Sequence, residues 1–132
     1  MKRILIVEDS ETDAMVIERQ LSLLDPPAVI HRARALAEVL RLLGASEYQA
    51  IVLDLTLPDS AGIETYRACR RATRAAILVQ TGSDDAEVRR AVAHNGDIFT
   101  LKTRFDELTL IDDLQAALLK REGVLLAGKA NG

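Results

Sequence analysis

The chain has 132 residues, 48% of them hydrophobic, which is the size and apolar content of one compact domain rather than two. Seventeen basic against twenty acidic side chains leave a net charge of −3, excluding a chain-wide electrostatic footprint for nucleic acid or anionic lipid. A single cysteine, Cys69, excludes an internal disulfide, and no stretch approaches the roughly 18 apolar residues of a membrane span, so a reducing, cytoplasmic setting is expected.

Short aliphatic runs alternate with longer amphipathic ones. Arg3 to Val7 (RILIV) reads as a first strand, and Ala14, Ile17, Leu21 and Leu24 give the next segment a helical period, with Ser10 placed to cap it. Pro26 and Pro27 read as a connection to a weaker strand, Val29 to Ala33, followed by a helix on Leu36, Leu40 and Leu43. Ala50 to Leu53 (AIVL) is a third strand, and a helix on Ile63, Tyr66 and Cys69 follows, with Ser60 as its expected cap. Ala76 to Val79 (AILV) is a fourth strand. Ser83 or Asp84 opens the next helix, on Val88, Ala91 and Val92, and Asn95 with Gly96 ends it. Ile98 to Leu101 gives a weaker fifth strand, and Leu108, Ile111, Leu114 and Leu118 a last helix.

The first, third and fourth runs read as strands buried on both faces, the second and fifth as nearer the edges. Strict alternation of five strands and five helices predicts an α/β fold that is doubly wound, an open parallel sheet with helices on both faces. One domain is expected over residues 1–121, with 122–132 as a tail or an extension of the last helix.

In such folds ligands bind outside the carboxyl ends of the strands, so the polar residues there are the candidates. They are Glu8 and Asp9 after the first strand, Asp54 after the third, Thr81 after the fourth and Lys102 after the fifth. Three carboxylates in one pocket repel unless a hard divalent cation neutralises them, and Mg2+ is the natural candidate because it leaves positions for water and phosphate. Lys102 adds a point charge, and Thr81 a hydroxyl donor, for phosphoryl oxygens. Together they describe a site that stabilises a phosphoryl group passing to Asp54. Taken singly, each has a plain alternative, since an acidic pair after a strand is often a helix N-terminal charge or a solvated turn.

These residues carry a resemblance. ILIVEDSETDAMVIERQL is similar to the first strand, acidic pair and first helix of the response-regulator receiver domains of two-component phosphorelay signalling. IVLDLTLPDSAG resembles their phosphoacceptor strand and loop, with Pro58 four and Gly62 eight residues after Asp54. QTGSDD resembles the switch hydroxyl followed by a small residue, and IFTLK places Phe99 three residues before Lys102. The resemblance covers about residues 2–121 and implies a CheY-like, flavodoxin-like sheet of strand order 2-1-3-4-5.

It further implies Asp54 as the phosphoacceptor, with Mg2+, or Mn2+ in its place, held by Glu8, Asp9, Asp54 and the backbone carbonyl of Thr56. Thr81 and Lys102 would act on the phosphoryl oxygens, Thr81 and Phe99 would form the switch, and Gly82 would leave room beside the phosphate. Thr56 and Ser83 are expected to tune the phosphoryl lifetime through water access. The implied partners are a sensor histidine kinase or histidine phosphotransfer protein and a downstream protein bound through the fourth helix, fifth strand and fifth helix. A phosphorylation-dependent homodimer is a further option, and neither nucleic acid nor membrane is a direct partner. Such a domain catalyses its own phosphorylation and dephosphorylation and is not otherwise an enzyme.

Lys102 is followed by Thr103 where the family usually has proline, which leaves the isomer of that peptide and the course of the next loop open. That departure is the one encouragement for a rival, a pseudo-receiver that keeps the fold as a constitutive interaction module. A nucleotide-binding enzyme lacks the G-x-G-x-x-G or G-x-x-x-x-G-K-[ST] motif, and a phosphatase with Asp54 as nucleophile lacks the carboxylate expected at Thr56. Arg67, Arg70, Arg71 and Arg74 read as a solvated helix face ahead of a contact for phosphate or an acidic partner, Arg89 and Arg90 on the output face as partner contacts or plain solubilising charges, and Cys69 as a core thiol rather than a redox sensor. A stand-alone receiver is the expected organisation.

Overall fold

The computed structural model describes residues 1–102 and 107–131. The elements are β1 (Arg3–Val7), α1 (Glu11–Leu21), β2 (Val29–Ala33), α2 (Leu36–Ala45), β3 (Ala50–Leu53), α3 (Gly62–Ala72), β4 (Ala76–Thr81), α4 (Ala86–His94), β5 (Ile98–Leu101) and α5 (Glu107–Asn131). The strands pair in parallel in the order β2-β1-β3-β4-β5, the doubly wound, flavodoxin-like arrangement. The two weaker runs, β2 and β5, are the edges. Among the described residues no helix is long and apolar enough to cross a membrane.

Side chains alternate along a strand, so each central strand feeds two cores. On β1, Leu5 and Val7 pack with Val39 of α2, Tyr66 and Cys69 of α3, and Val88 and Val92 of α4. Ile4 and Ile6 pack on the other face with Ile17 and Leu21 of α1 and Leu110 and Leu114 of α5. Burying one such aliphatic side chain contributes about 1.5–3 kcal/mol, which is why both faces of β1, β3 and β4 are apolar. Cys69 is fully buried in the first core, and burial pushes its thiol up to about 11, so it is unreactive at neutral pH.

Several local expectations shift. α2 buries Val39 rather than Leu40, which is 41% exposed, because its inward stripe runs through Leu36, Val39 and Leu43. β4 continues two residues past Val79 to Thr81. Ser10 caps α1 by accepting the Asp13 N–H at 3.3 Å. Ser60 does not cap α3, whose N-cap is Ala61; its hydroxyl pairs instead with Thr65 Oγ1 at 2.7 Å. Asp85, and neither Ser83 nor Asp84, caps α4, accepting the N–H groups of Glu87 and Val88 at 2.9 and 3.3 Å. Asn95 and Gly96 end α4 as expected, Gly96 with a left-handed φ of +74°. Residues 122–131 extend α5. The Lys102–Thr103 peptide lies outside the described residues.

Arg70 departs from the solvated face expected of it. Asp97, whose side chain is wholly buried just before β5, accepts Arg70 Nη1 at 2.8 Å, the Tyr66 hydroxyl and the Ile77 N–H at 3.0 Å. Burial first, then the hydrogen bond to Asp97 and its charge, raises the Tyr66 pKa, so the hydroxyl stays a donor. The network ties α3, β4 and β5 together at the end of the sheet where the strands begin. Asp97→Ala removes the carboxylate partner of the nearly buried Arg70 guanidinium, which keeps the Thr73 and Ala75 carbonyls at 2.8 and 2.7 Å, and is expected to cost about 3 kcal/mol, read as a lower urea midpoint. A loss below about 1 kcal/mol would show that the network contributes little to stability.

Candidate functional site

The opposite end of the sheet gathers the chemistry. Glu8, Asp54 and Lys102 each stand one residue past a strand, and Thr81 closes β4. Their backbones continue the ladder: Glu8 N–H donates to Ala33 O at 3.0 Å, Asp54 N–H to Val7 O at 3.0 Å, and Lys102 N–H to Thr81 O at 2.8 Å. Strand order reverses about β1, so the crevice beside β1 and β3 opens between Glu8 and Asp54.

Lys102 Nζ donates to Glu8 Oε1, to Asp54 Oδ2 at 3.1 Å and to Asp13 Oδ2 at 3.1 Å. The cluster is withdrawn from water: side-chain exposure is 1% for Glu8, 11% for Asp54 and 14% for Lys102. Burial pushes Glu8 up to about 7; the Lys102 bond opposes this, and the neighbouring Asp54 carboxylate adds to it. Burial also works against the Lys102 ammonium, but its bonds to Glu8 and Asp13 and the nearby charges outweigh that and hold it above its ordinary value.

Glu8, Asp9 and Asp54 each bring a carboxylate oxygen within 4.8 Å of the others. Three hard oxygen donors in a half-enclosed crevice fit a small divalent cation, and the excess of carboxylates over the one ammonium calls for further positive charge. Asp9 is the exposed member of the three. The remaining residues singled out in the sequence surround this set. Thr56 is exposed, and its N–H donates to Asp54 Oδ1 at 3.2 Å, fixing one carboxylate oxygen. Thr81 is buried, and its hydroxyl oxygen accepts the Ser83 N–H at 3.4 Å. A Cβ placed on Gly82 would meet no atom within 4 Å, so the space beside this residue is open. Phe99 is half-buried, and the Arg89 guanidinium lies 4.4 Å from its ring centre while pairing with Asp84, so Arg89 is more than a solubilising charge.

Sequence reasoning missed three side chains at this end. Asp13 is the third residue of α1, where the S-x-x-D run from Ser10 reads only as a capping signal. Arg32, at the edge strand β2, donates from Nε and Nη2 to the Glu8 carbonyl at 3.1 and 2.9 Å and from Nη1 to Glu11 at 2.9 Å. Asp59 accepts the Leu36 and Ala37 N–H groups at 2.8 and 3.0 Å, capping α2 from the loop that follows the phosphoacceptor candidate. Those bonds, Ala37 first, hold the Asp59 carboxyl below the usual range. The same loop turns at Gly62, whose φ is +62°. A cavity of about 1220 Å3 between α5 and the loops preceding β3 and β4 lies at the far end of the sheet and includes none of these groups.

A family model for the response regulator receiver domain matches residues 4–115. The chain belongs to that family. The receiver fold is shared with the signal receiver domain of a putative LuxO repressor protein from Vibrio parahaemolyticus, at TM-score 0.78 and 21% identity over 96% of each chain. A CheY-like response regulator receiver domain protein from Methanospirillum hungatei gives 0.77 and 21% identity over 93% of this chain and 98% of its own. A response regulator protein from Burkholderia pseudomallei, solved with a phosphorylated aspartic acid, a calcium ion and citrate, gives 0.73 and 23% identity over 95% and 74%. A comparison with curated proteins gave no match. At these identities the solved structures speak to the fold, and the family match establishes a receiver domain of two-component signalling.

The position of Glu8 in this receiver has a consequence for stability. A carboxyl whose pKa rises on folding contributes stability below its unfolded value of 4.5, and loses that contribution as pH rises through about 7. In metal-free buffer the wild type is therefore expected to lose stability relative to Glu8→Gln between pH 5 and pH 8, read by urea unfolding. A difference that stays flat, or grows in favour of the wild type, contradicts the assigned environment of Glu8.

Proposed function

We propose that this receiver takes a phosphoryl group onto Asp54 from a phosphohistidine of a sensor histidine kinase or histidine phosphotransfer protein. The observation that carries the reading is the meeting of Lys102 with both Glu8 and Asp54 at the strand ends. A divalent cation, Mg2+ or Mn2+, held by Glu8, Asp9, Asp54 and the backbone carbonyl of Thr56, would offset the charge that builds as a phosphoryl group meets a carboxylate. The chain's own groups supply positioning. A carboxylate oxygen of Asp54 forms the new P–O bond while the P–N bond breaks and its electron pair returns to the imidazole. Thr56 N–H restrains the other Asp54 oxygen during the approach. The Lys102 ammonium transfers one of its bonds to a phosphoryl oxygen, and the Thr81 hydroxyl donates to another. The open space beside Gly82 admits the group. Hydrolysis by water resets Asp54, and the receiver catalyses both steps on itself.

Movement of Thr81 toward the phosphoryl group would free space for Phe99, shifting a two-state surface on α4, β5 and α5. The Arg89 stack on Phe99 ties that ring to α4. A downstream protein, or a second phosphorylated copy, would read this surface, in the cytoplasm where such kinases deliver their phosphoryl groups.

Incubation with acetyl phosphate and Mg2+, followed by intact mass, is expected to show one added phosphoryl group that is absent without Mg2+ and absent in Asp54→Ala. No gain from acetyl phosphate or from a phosphohistidine donor would instead favour a pseudo-receiver that works as a constitutive interaction module. Thr56 and Ser83 flank the route by which water reaches the acyl phosphate. Replacing either by a bulky or acidic residue is expected to change the rate of phosphoryl loss, followed by mass over time, and an unchanged rate in both variants removes them from lifetime control.

A further inference from the structure

Asp13 sits where a helix-capping acid belongs but does other work. In a capping box the acid three residues after the N-cap reaches back to the N-cap N–H. Here the Ser10 N–H donates to Glu8 Oε2 at 3.2 Å, and Asp13 turns its carboxylate to Lys102 at 3.1 Å. The other acid of that turn, Glu11, is taken by Arg32 and Arg34 on the outer side of α1. Asp13 is also absent from the triangle of Glu8, Asp9 and Asp54 oxygens that fits a cation. Lys102 thus spends its three N–H donors on two carboxylates of that triangle's set and one that stands apart, 30% exposed at the lip.

We infer that Asp13 is a positioning residue that keeps Lys102 anchored while Glu8 and Asp54 turn to a divalent cation. The inference rests on the cation-assisted reading of the site. An ammonium and a cation compete for the carboxylates of Glu8 and Asp54 and repel each other at that range. With Asp13 present, Lys102 gives up those two bonds and still has a charged acceptor. With Asp13 neutral, leaving Glu8 and Asp54 strands a half-buried ammonium, so Lys102 holds them against the ion. Asp13 then acts on metal binding through Lys102, not as a ligand.

A double-mutant cycle separates this from a bare charge effect. Mg2+ alone is titrated calorimetrically into the wild type, Asp13→Asn, Lys102→Met and the double variant, with circular dichroism confirming that each is folded. The expected result is that Asp13→Asn weakens Mg2+ binding about fivefold more when Lys102 is present than in the Lys102→Met background. Equal weakening in both backgrounds, or none in either, overturns the role of Asp13. Wild-type protein that binds no Mg2+ overturns both this inference and the cation-assisted reading. Coupled Mg2+ binding in a wild type that takes no phosphoryl group from any donor upholds Asp13 and removes only the phosphoacceptor reading.

Discussion

One ammonium shared among three carboxylates organises the functional end of this molecule. Lys102 comes from the edge strand β5 and reaches Glu8 beyond β1, Asp13 on α1 and Asp54 beyond β3. Unit charges about 4 Å apart at this depth interact on the order of 4 kcal/mol, so the attraction that gathers the groups is matched by repulsion among the acids. Glu8 shows the imbalance most plainly, because burial drives it up to about 7 even with Lys102 in contact. The cluster is held together but short of positive charge. That shortage is one a divalent cation would relieve.

The sheet makes the arrangement repeatable. Glu8, Asp54 and Lys102 are each one rung past a parallel strand, and each backbone N–H continues the ladder to the neighbouring strand. Their Cα positions are therefore set by β-pairing and not by loop conformation, leaving side-chain rotation as the main freedom. Arg32 clamps the Glu8 carbonyl from β2, and Asp59 pins the loop after Asp54 to the start of α2. A different network, Asp97 with Arg70 and Tyr66, fixes the far end of the sheet. The candidate site is thus carried by the ends of paired strands, with Thr81 on β4, Phe99 on β5 and Arg89 on α4 beside it.

What could be read from sequence follows from how local each signal is. The apolar runs and the polar residues that end them are adjacent in the chain, so β1, β3 and β4 with Glu8, Asp54 and Thr81 were legible, and strict alternation led to the doubly wound sheet. Leu40 was misplaced because α2 is apolar at both Val39 and Leu40, and periodicity cannot choose between neighbours. The caps of α3 and α4 were misread since Ser60, Ser83, Asp84 and Asp85 are all competent cap residues within a few positions. Asp13, Asp59 and the Arg70 to Asp97 pair were invisible for another reason: their partners are 89, 22 to 23 and 27 residues away, and only the fold brings them together.

The central claim, that Lys102 trades carboxylates for a phosphoryl group when a cation arrives, is tested most directly by a crystal structure with Mg2+ and beryllofluoride, a mimic of the phosphoryl group. The expected structure has the ion on Glu8, Asp9 and Asp54, beryllofluoride on Asp54, and Lys102 bonded to a fluorine while still paired with Asp13. A structure in which Lys102 keeps both Glu8 and Asp54, or in which the ion binds away from these three acids, would contradict it.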